Sequence, residues 1–322
     1  MSIFGMIGKA ALGLAATAFL TSQIVQAEPL KYPVKVVTLV THSSPGGGSD
    51  VFLREMTKYL GKYIDATFVV ENVQGGSGAK AMARVAAAEP DGSTFYATTP
   101  TYIYTSLMSS PPKTYKDMQP LVNIFVDSEV IYTRTDGPFK SLKDVIEHAK
   151  VERGKWGAAN PASLERQAAE QLKTAAGVKP AIVTHEGGGD MMLNVLNGTL
   201  DIGIGEIQEL RSQLDAGKIT ILATFNPERI ADKPDVPTVK ELGYDVTLVK
   251  FRGLAGPKGL SDETAAIWDE AIKNLLADPD YKKAYTAEVL VPQLIGHKDY
   301  PAFIDNFATT TENFLKSTGA VK

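Results

Sequence analysis

Leu39-Val40-Thr41-His42-Ser43-Ser44-Pro45-Gly46-Gly47-Gly48-Ser49-Asp50 carries an apolar strand into a glycine loop. Ile182-Val183-Thr184-His185-Glu186-Gly187-Gly188-Gly189-Asp190 does so again in nearly the same words. A helix is expected after each loop. A strand, a glycine loop and a helix N-terminus expose backbone N–H groups that favour anions. Two such loops, far apart in sequence, suggest two jaws that close on one acidic small molecule.

Outward from the first loop, the pattern alternates. Val34 to Val40 reads as a buried strand. Phe52, Met56, Tyr59 and Leu60 fall at helical spacing, with Gly61 at the expected stop. Thr67 to Val73 is a second strand, feeding the loop Gln74-Gly75-Gly76-Ser77-Gly78. The helix Ala79 to Ala88 follows and ends before the turn Pro90-Asp91-Gly92, and Ser93 to Thr98 is a third strand. This β-α-β-α-β order implies a parallel sheet with right-handed crossovers.

A second unit is expected from near Leu121. Its strands are Glu129 to Arg134, Lys155 to Ala159, Ala181 to His185, Asp201 to Gly205 and Thr220 to Phe225. Ser141 and Asp144 form a capping box before the helix Leu142 to Lys150. Asn160 and Pro161 read as N-cap and first residue of a helix ending at Gly177. The chain becomes extended again from Val246 to Leu254 and returns to the first unit, where helices near Ala265–Leu276 and Ala302–Leu315 pack. The expected fold class is α/β, a type II periplasmic binding protein with two doubly wound domains, a hinge and a central cleft. Residues 28–124 with 252–322 form domain 1, and residues 125–251 form domain 2.

The 322 residues suffice for two domains of ordinary size. The net charge is −4 and no long basic run occurs, so nucleic acid is not an expected partner. With no cysteine, disulfides, thiolate catalysis and Cys-based metal sites are excluded. Lys9, the apolar run Ala10 to Leu20 and Val25-Gln26-Ala27 read as a secretory signal peptide cleaved after Ala27. The mature chain is expected in a bacterial periplasm, as a monomer.

The chemistry of the turns points to binding. Ser43–Ser49, Gly75–Gly78, Asn160–Ser163 and Gly187–Asp190 all follow strand ends, where ligands bind in doubly wound sheets. Hydroxyls of Ser43, Ser44, Ser49, Ser77 and Thr98 can add neutral hydrogen bonds. No phosphate-loop or dinucleotide fingerprint is met. Gly75-Gly76-Ser77-Gly78-Ala79 misses the hydrolase elbow at its last position, and Ser77 has no assignable His partner. None of His42, His148, His185 and His297 has metal-ligand spacing, so no metal or cofactor is expected. His42 and His185 read first as loop anchors, second as donors to a carboxylate. Glu206, at a strand end on the ligand side, suits a hydroxyl or cationic group of the ligand, or a hinge ion pair. Trp156, Tyr102 and Tyr104 are core residues or stacking surfaces for an aromatic ligand.

These motifs, taken together, resemble one family. Its carriers are Pro45-Gly46-Gly47-Gly48-Ser49-Asp50, Glu71-Asn72-Val73-Gln74-Gly75-Gly76-Ser77-Gly78-Ala79, Pro90-Asp91-Gly92, His185 to Asp190, Leu196-Asn197-Gly198, Ala216-Gly217-Lys218 and Pro234-Asp235-Val236-Pro237-Thr238. Over essentially the whole mature chain it resembles the extracytoplasmic solute receptors of tripartite tricarboxylate transporters, the Bug or TctC family. The resemblance implies a non-enzymatic periplasmic receptor that delivers a di-, tri- or aromatic carboxylate to membrane permease subunits. It implies a ligand gripped by the first glycine loop, here His42, Ser43, Ser44, Gly46, Gly47, Gly48 and Ser49, and by the Gly75–Gly78 loop with Gly76 and Ser77; Thr98 and Thr99, at the end of the third strand, are further candidates from their position. The second domain would close from Asn160, Ser163 and Glu206. Many relatives carry Tyr-Lys-Gly where this chain has His185-Glu186-Gly187, which leaves the carboxylate open. The rival readings are a carboxylate sensor serving a membrane histidine kinase and a periplasmic serine hydrolase using Ser77.

Overall fold

A computed structural model describes residues 28–321; the expected signal peptide lies outside the described residues. The first strands and helices are β1 (Val36–Thr41), α1 (Gly48–Leu60), β2 (Thr67–Asn72), α2 (Ala79–Ala86) and β3 (Thr94–Thr98). β1 pairs in parallel with both β2 and β3, as the alternating pattern requires. Next come α3 (Pro100–Ser109) and β4 (Met118–Asp127). A single residue, Ser128, separates β4 from β5 (Glu129–Arg134).

The second sheet grows from α4 (Leu142–Val151), β6 (Lys155–Ala158), α5 (Leu164–Ala176), β7 (Ala181–Thr184), α6 (Gly188–Leu196), β8 (Ile202–Glu206), α7 (Ile207–Asp215) and β9 (Ile219–Thr224). β10 (Lys250–Pro257) then rejoins the first sheet, followed by α8 (Asp262–Ala277), α9 (Pro279–Ala287), β11 (Val291–Ile295) and α10 (Tyr300–Ser317). The orders are β11-β4-β10-β3-β1-β2 and β7-β6-β8-β5-β9.

Both sheets are covered on both faces, which accounts for their largely apolar strands. Trp268, Phe95 and Phe125 fill one face of the first sheet, while Tyr96, Met82 and Tyr300 fill the other. In the second sheet, Trp156 and Leu172 pack on one side, Tyr132 and Met191 on the other. Trp156, Tyr102 and Tyr104 are thus core residues, each buried.

The structure moves one expected helix start. Asn160 and Pro161 do not open α5; Ser163 is its N-cap, its Oγ accepting from Arg166 N–H at 3.1 Å. Ser163 N–H donates to Asn160 O at 3.2 Å, so Asn160–Ser163 is a β-turn with Pro161 at its second position. The same residue types suit both motifs, and the turn wins because a better-placed cap follows. α3 has no apolar stripe to read, because Pro100 through Ser106 are all buried. β11, which contains Pro292, is tolerated as an edge strand.

Candidate functional site

The two glycine loops face each other across the gap between the sheets. A Cβ on Gly189 would lie 2.5 Å from Pro45 O, and one on Gly187 would lie 2.5 Å from Ser44 N. Backbone cannot yield to such contacts, so this approach requires glycine. Glu186 and Asp190, the acids of the second loop, are exposed.

The first loop holds itself. Gly46 N–H donates to Asp50 Oδ2 at 2.9 Å and Gly47 N–H to Ser44 O at 3.0 Å. Burial pushes the Asp50 carboxyl up, but hydrogen bonds from Arg54, Gly46 and Asn72 outweigh it and hold it below the usual range. Gly48 N–H, at the start of α1, donates across the gap to Glu209 Oε2 at 3.0 Å. Glu209 Oε1 accepts from Glu206 N–H at 3.3 Å. One carboxyl therefore caps the N-termini of α1 and α7, where both helix dipoles favour negative charge. Gln208 fastens the same junction, its Nε2 donating to Gly48 O and to Asp127 Oδ2, each at 3.1 Å.

Behind this junction lies a buried charge cluster. Lys250 and Arg252 sit two apart on β10, so both leave the same face of the strand. Lys250 Nζ donates to Glu165 Oε1 at 2.6 Å, donates also to Glu206 Oε1, and lies 3.2 Å from Glu129 Oε1. Arg252 Nε donates to Asp127 Oδ2 at 2.6 Å and Nη1 to Ser49 Oγ at 3.2 Å; Nη2 lies 3.3 Å from Glu206 Oε1. Glu129 and Glu206 are direct cross-strand partners, an arrangement that costs energy unless a cation intervenes. Four carboxyls, Asp127, Glu129, Glu165 and Glu206, thus share two cations.

Titration follows from this crowding. Burial raises Glu129 to about 7 against the pull of Lys250. Burial, then the charges of Glu165 and Glu129, push Glu209 well above the carboxylate range. Burial also pushes Glu165 up, but the charge and hydrogen bond of Lys250 outweigh it and hold this carboxyl below its ordinary range. His42 is driven down to about 4, by burial first and Lys250 second, so it is neutral near pH 7. Its Nδ1 is hydrogen-bonded to Tyr96 OH at 2.8 Å, the anchoring role.

A carboxyl raised in the folded state binds protons more tightly than the unfolded chain does. Its contribution to stability therefore falls as pH rises from its unfolded pKa, about 4.3, to its folded one. His42 acts oppositely between about 4 and 6.5. Glu129→Gln removes one carboxyl term and leaves His42 in place. The melting temperature of this variant, measured against the parent, is expected to improve from pH 5 to pH 8. A constant difference across that range would refute the assigned titration.

The loops, Lys250 and Glu165 leave a cavity of only about 20 Å³. That is room for about one water. Of the expected site residues, His42, Ser43, Gly48, Ser49, Asn160 and Glu206 line it. Ser44 and Gly47 lie against the second loop, and Gly46 is at the exposed rim. Gly76 and Ser77 stand apart beside α3, where Thr105 donates to Ser77 O at 2.6 Å. Thr98 Oγ1 is hydrogen-bonded to Tyr300 OH at 2.7 Å, within the first lobe, and Thr99 stands at the N-cap position of α3 with its hydroxyl buried and unpartnered. Ser163 is spent on its own helix. Lys250, Glu165 and Glu209 also line the cavity, with Glu129 behind them, and none was expected from sequence. Two cations in an otherwise apolar strand, and a Glu three residues after Glu206, were the available signals.

Among the described residues no helix is long and apolar enough to cross a membrane. The model of the tripartite tricarboxylate transporter family receptor matches residues 52–319. A Cupriavidus necator protein described as "UPF0065 protein in gbd 5'region" is 26% identical over 97% of this chain and 94% of its own. BugT of Bordetella pertussis is 25% identical over 90% and 91% of the two chains. Among solved structures, the periplasmic binding protein BugD superposes with a TM-score of 0.84 at 22% identity, covering 90% of this chain and all of its own. An R. palustris protein with adipate gives 0.83 at 23% identity over 89% and 98% of the two chains. MatC from Rhodopseudomonas palustris with bound malate gives 0.77 at 23% over 88% and 99%.

Proposed function

Because this chain belongs to the family of tripartite tricarboxylate transporter receptors, periplasmic solute-binding proteins and not enzymes, we propose that it captures a small organic carboxylate and delivers it to a membrane permease. Glu209 carries the reading. An internal carboxyl already occupies Gly48 N–H at the head of α1, the place a ligand carboxylate would take. Adipate and malate, bound by two structural relatives, are both dicarboxylates, and the proposal extends that class to this chain.

A cavity of about 20 Å³ admits no such solute, so binding requires the loops to part. The two lobes would be 28–124 with 252–322, and 125–251. They would turn about Ser128 and the start of β10, the places where the chain changes sheets. First-lobe contacts would come from His42, Ser43, Ser44 and Gly46–Ser49, with Gly76, Ser77, Thr98 and Thr99 bordering them. Second-lobe contacts would come from Asn160 and Glu206, with Ser163 holding the start of α5 beside them. Closure follows only if the ligand binds the closed arrangement better than the open one.

A melting-shift screen of mono-, di-, tri- and aromatic carboxylates at millimolar concentration tests this. A ligand at 100 times its Kd stabilises by about 2.7 kcal/mol, a shift of several degrees. No shift with any carboxylate would refute the ligand class. Uptake of a hit by cells with and without this protein tests delivery.

A further inference from the structure

We infer that α7 is a latch that holds the empty receptor shut, with the Glu209 carboxyl standing in for the carboxylate of the solute until solute displaces it. Resting on the carboxylate reading above, this adds the regulation of that site. Three side chains of this one second-lobe helix bond to the first lobe. Gln208 Nε2 donates to Gly48 O and to Asp127 Oδ2, Glu209 Oε2 accepts from Gly48 N–H, and Arg211 Nη1 donates to Ala287 O. Gly48 opens α1, Asp127 ends β4 where the chain changes sheets, and Ala287 ends α9, so the helix grips three separate first-lobe elements. Asp215, one turn further along α7, holds the Arg211 guanidinium through Nε at 3.0 Å.

The Glu209 carboxyl has a fitted seat. A Cβ on Gly188 or on Gly205 would collide with it, so glycine in the second loop and in β8 makes its room. It is buried, and its oxygens accept one backbone N–H from each lobe, Gly48 and Glu206. The shut, empty form is nevertheless not fully satisfied. Ser44 Oγ lies against Gly187 where the loops meet, and it is buried without a hydrogen-bond partner. Such an atom opposes closing, and the bonds of α7 outweigh it. A solute carboxylate at Gly48 can also accept from the Ser44 hydroxyl, a donor that Glu209 leaves unused. The displaced Glu209 keeps the Glu206 N–H of its own lobe. Solute enters only when the loops part. The latch therefore raises the apparent Kd by the factor with which it favours the shut form.

Glu209→Ala empties the seat. Small-angle scattering of the solute-free proteins is expected to show this variant more extended than the parent. Formate, a carboxylate small enough for the emptied seat, should return it to the compact form, and chloride at equal ionic strength should not. In titration calorimetry with succinate, adipate, malate, citrate and benzoate, at least one acid should bind Glu209→Ala about fivefold or more tightly than the parent, the scale of one hydrogen bond. Gln208→Ala, which leaves the seat filled, should tighten the same acid without any response to formate. Glu209→Gln, which turns an amide N–H toward one of the two backbone N–H groups, should fall between parent and Glu209→Ala. Should Glu209→Ala fail to fold, the affinities of Gln208→Ala and Glu209→Gln decide. Unchanged or weaker binding in these variants would overturn the latch while the carboxylate reading stands. Closing of Glu209→Ala by formate, with none of the larger acids bound by any variant, would uphold the latch and overturn the carboxylate solute. Silence from every probe would overturn both.

Discussion

Lys250→Met should destabilise this protein by about 3–5 kcal/mol, the cost of leaving a buried ion cluster without one of its two cations. Lys250 is 4% exposed and is the ammonium shared by Glu129, Glu165 and Glu206. Methionine fills nearly the same volume, so the loss is electrostatic and not a cavity. A melting temperature lower by on the order of 10 °C at pH 8 is expected. The deficit should shrink toward pH 5, because burial already favours protonation of Glu129 and Glu209. A change under about 2 °C, within the range of ordinary surface substitutions, would mean that water screens the cluster.

Gly189→Leu should reduce solute affinity about 100-fold or more while both lobes stay folded, a loss of about 2.7 kcal/mol. The nearest atom to a Cβ there is Pro45 O at 2.5 Å, and the next two, Gly46 C and Gly47 N at 3.3 Å, belong to the same opposite loop. The strain is therefore relieved by keeping the lobes apart. A solute that contacts both lobes then loses half its partners. Small-angle scattering should show a more extended molecule with an unchanged circular dichroism spectrum. Affinity equal to that of the parent protein would show that the loops need not meet when solute is bound.

The fold was legible because its signals are local. β-branched runs, glycine stops and the Ser141–Asp144 capping box each act within a few residues. The glycine loops announced the cleft for the same reason. The charge cluster was not legible as a site. Asp127, Glu129, Glu165, Glu206, Lys250 and Arg252 come from separate elements and meet only through the sheet order. Lys250 and Arg252, alternating with apolar residues in a buried strand, state only that acids must be near. Asn160 misled for a different reason, since Asn-Pro opens a β-turn as readily as a helix.

The rim where the loops meet also makes a spectroscopic gauge. Pro45 and Glu186 are exposed on opposing loops, and the native sequence has no cysteine. Pro45→Cys with Glu186→Cys would therefore give the molecule two thiols, one on each side of the gap. Any rotation that parts the loops changes their separation directly. A pair of spin labels or fluorophores would read each capture event as a distance, whatever the chemistry of the solute.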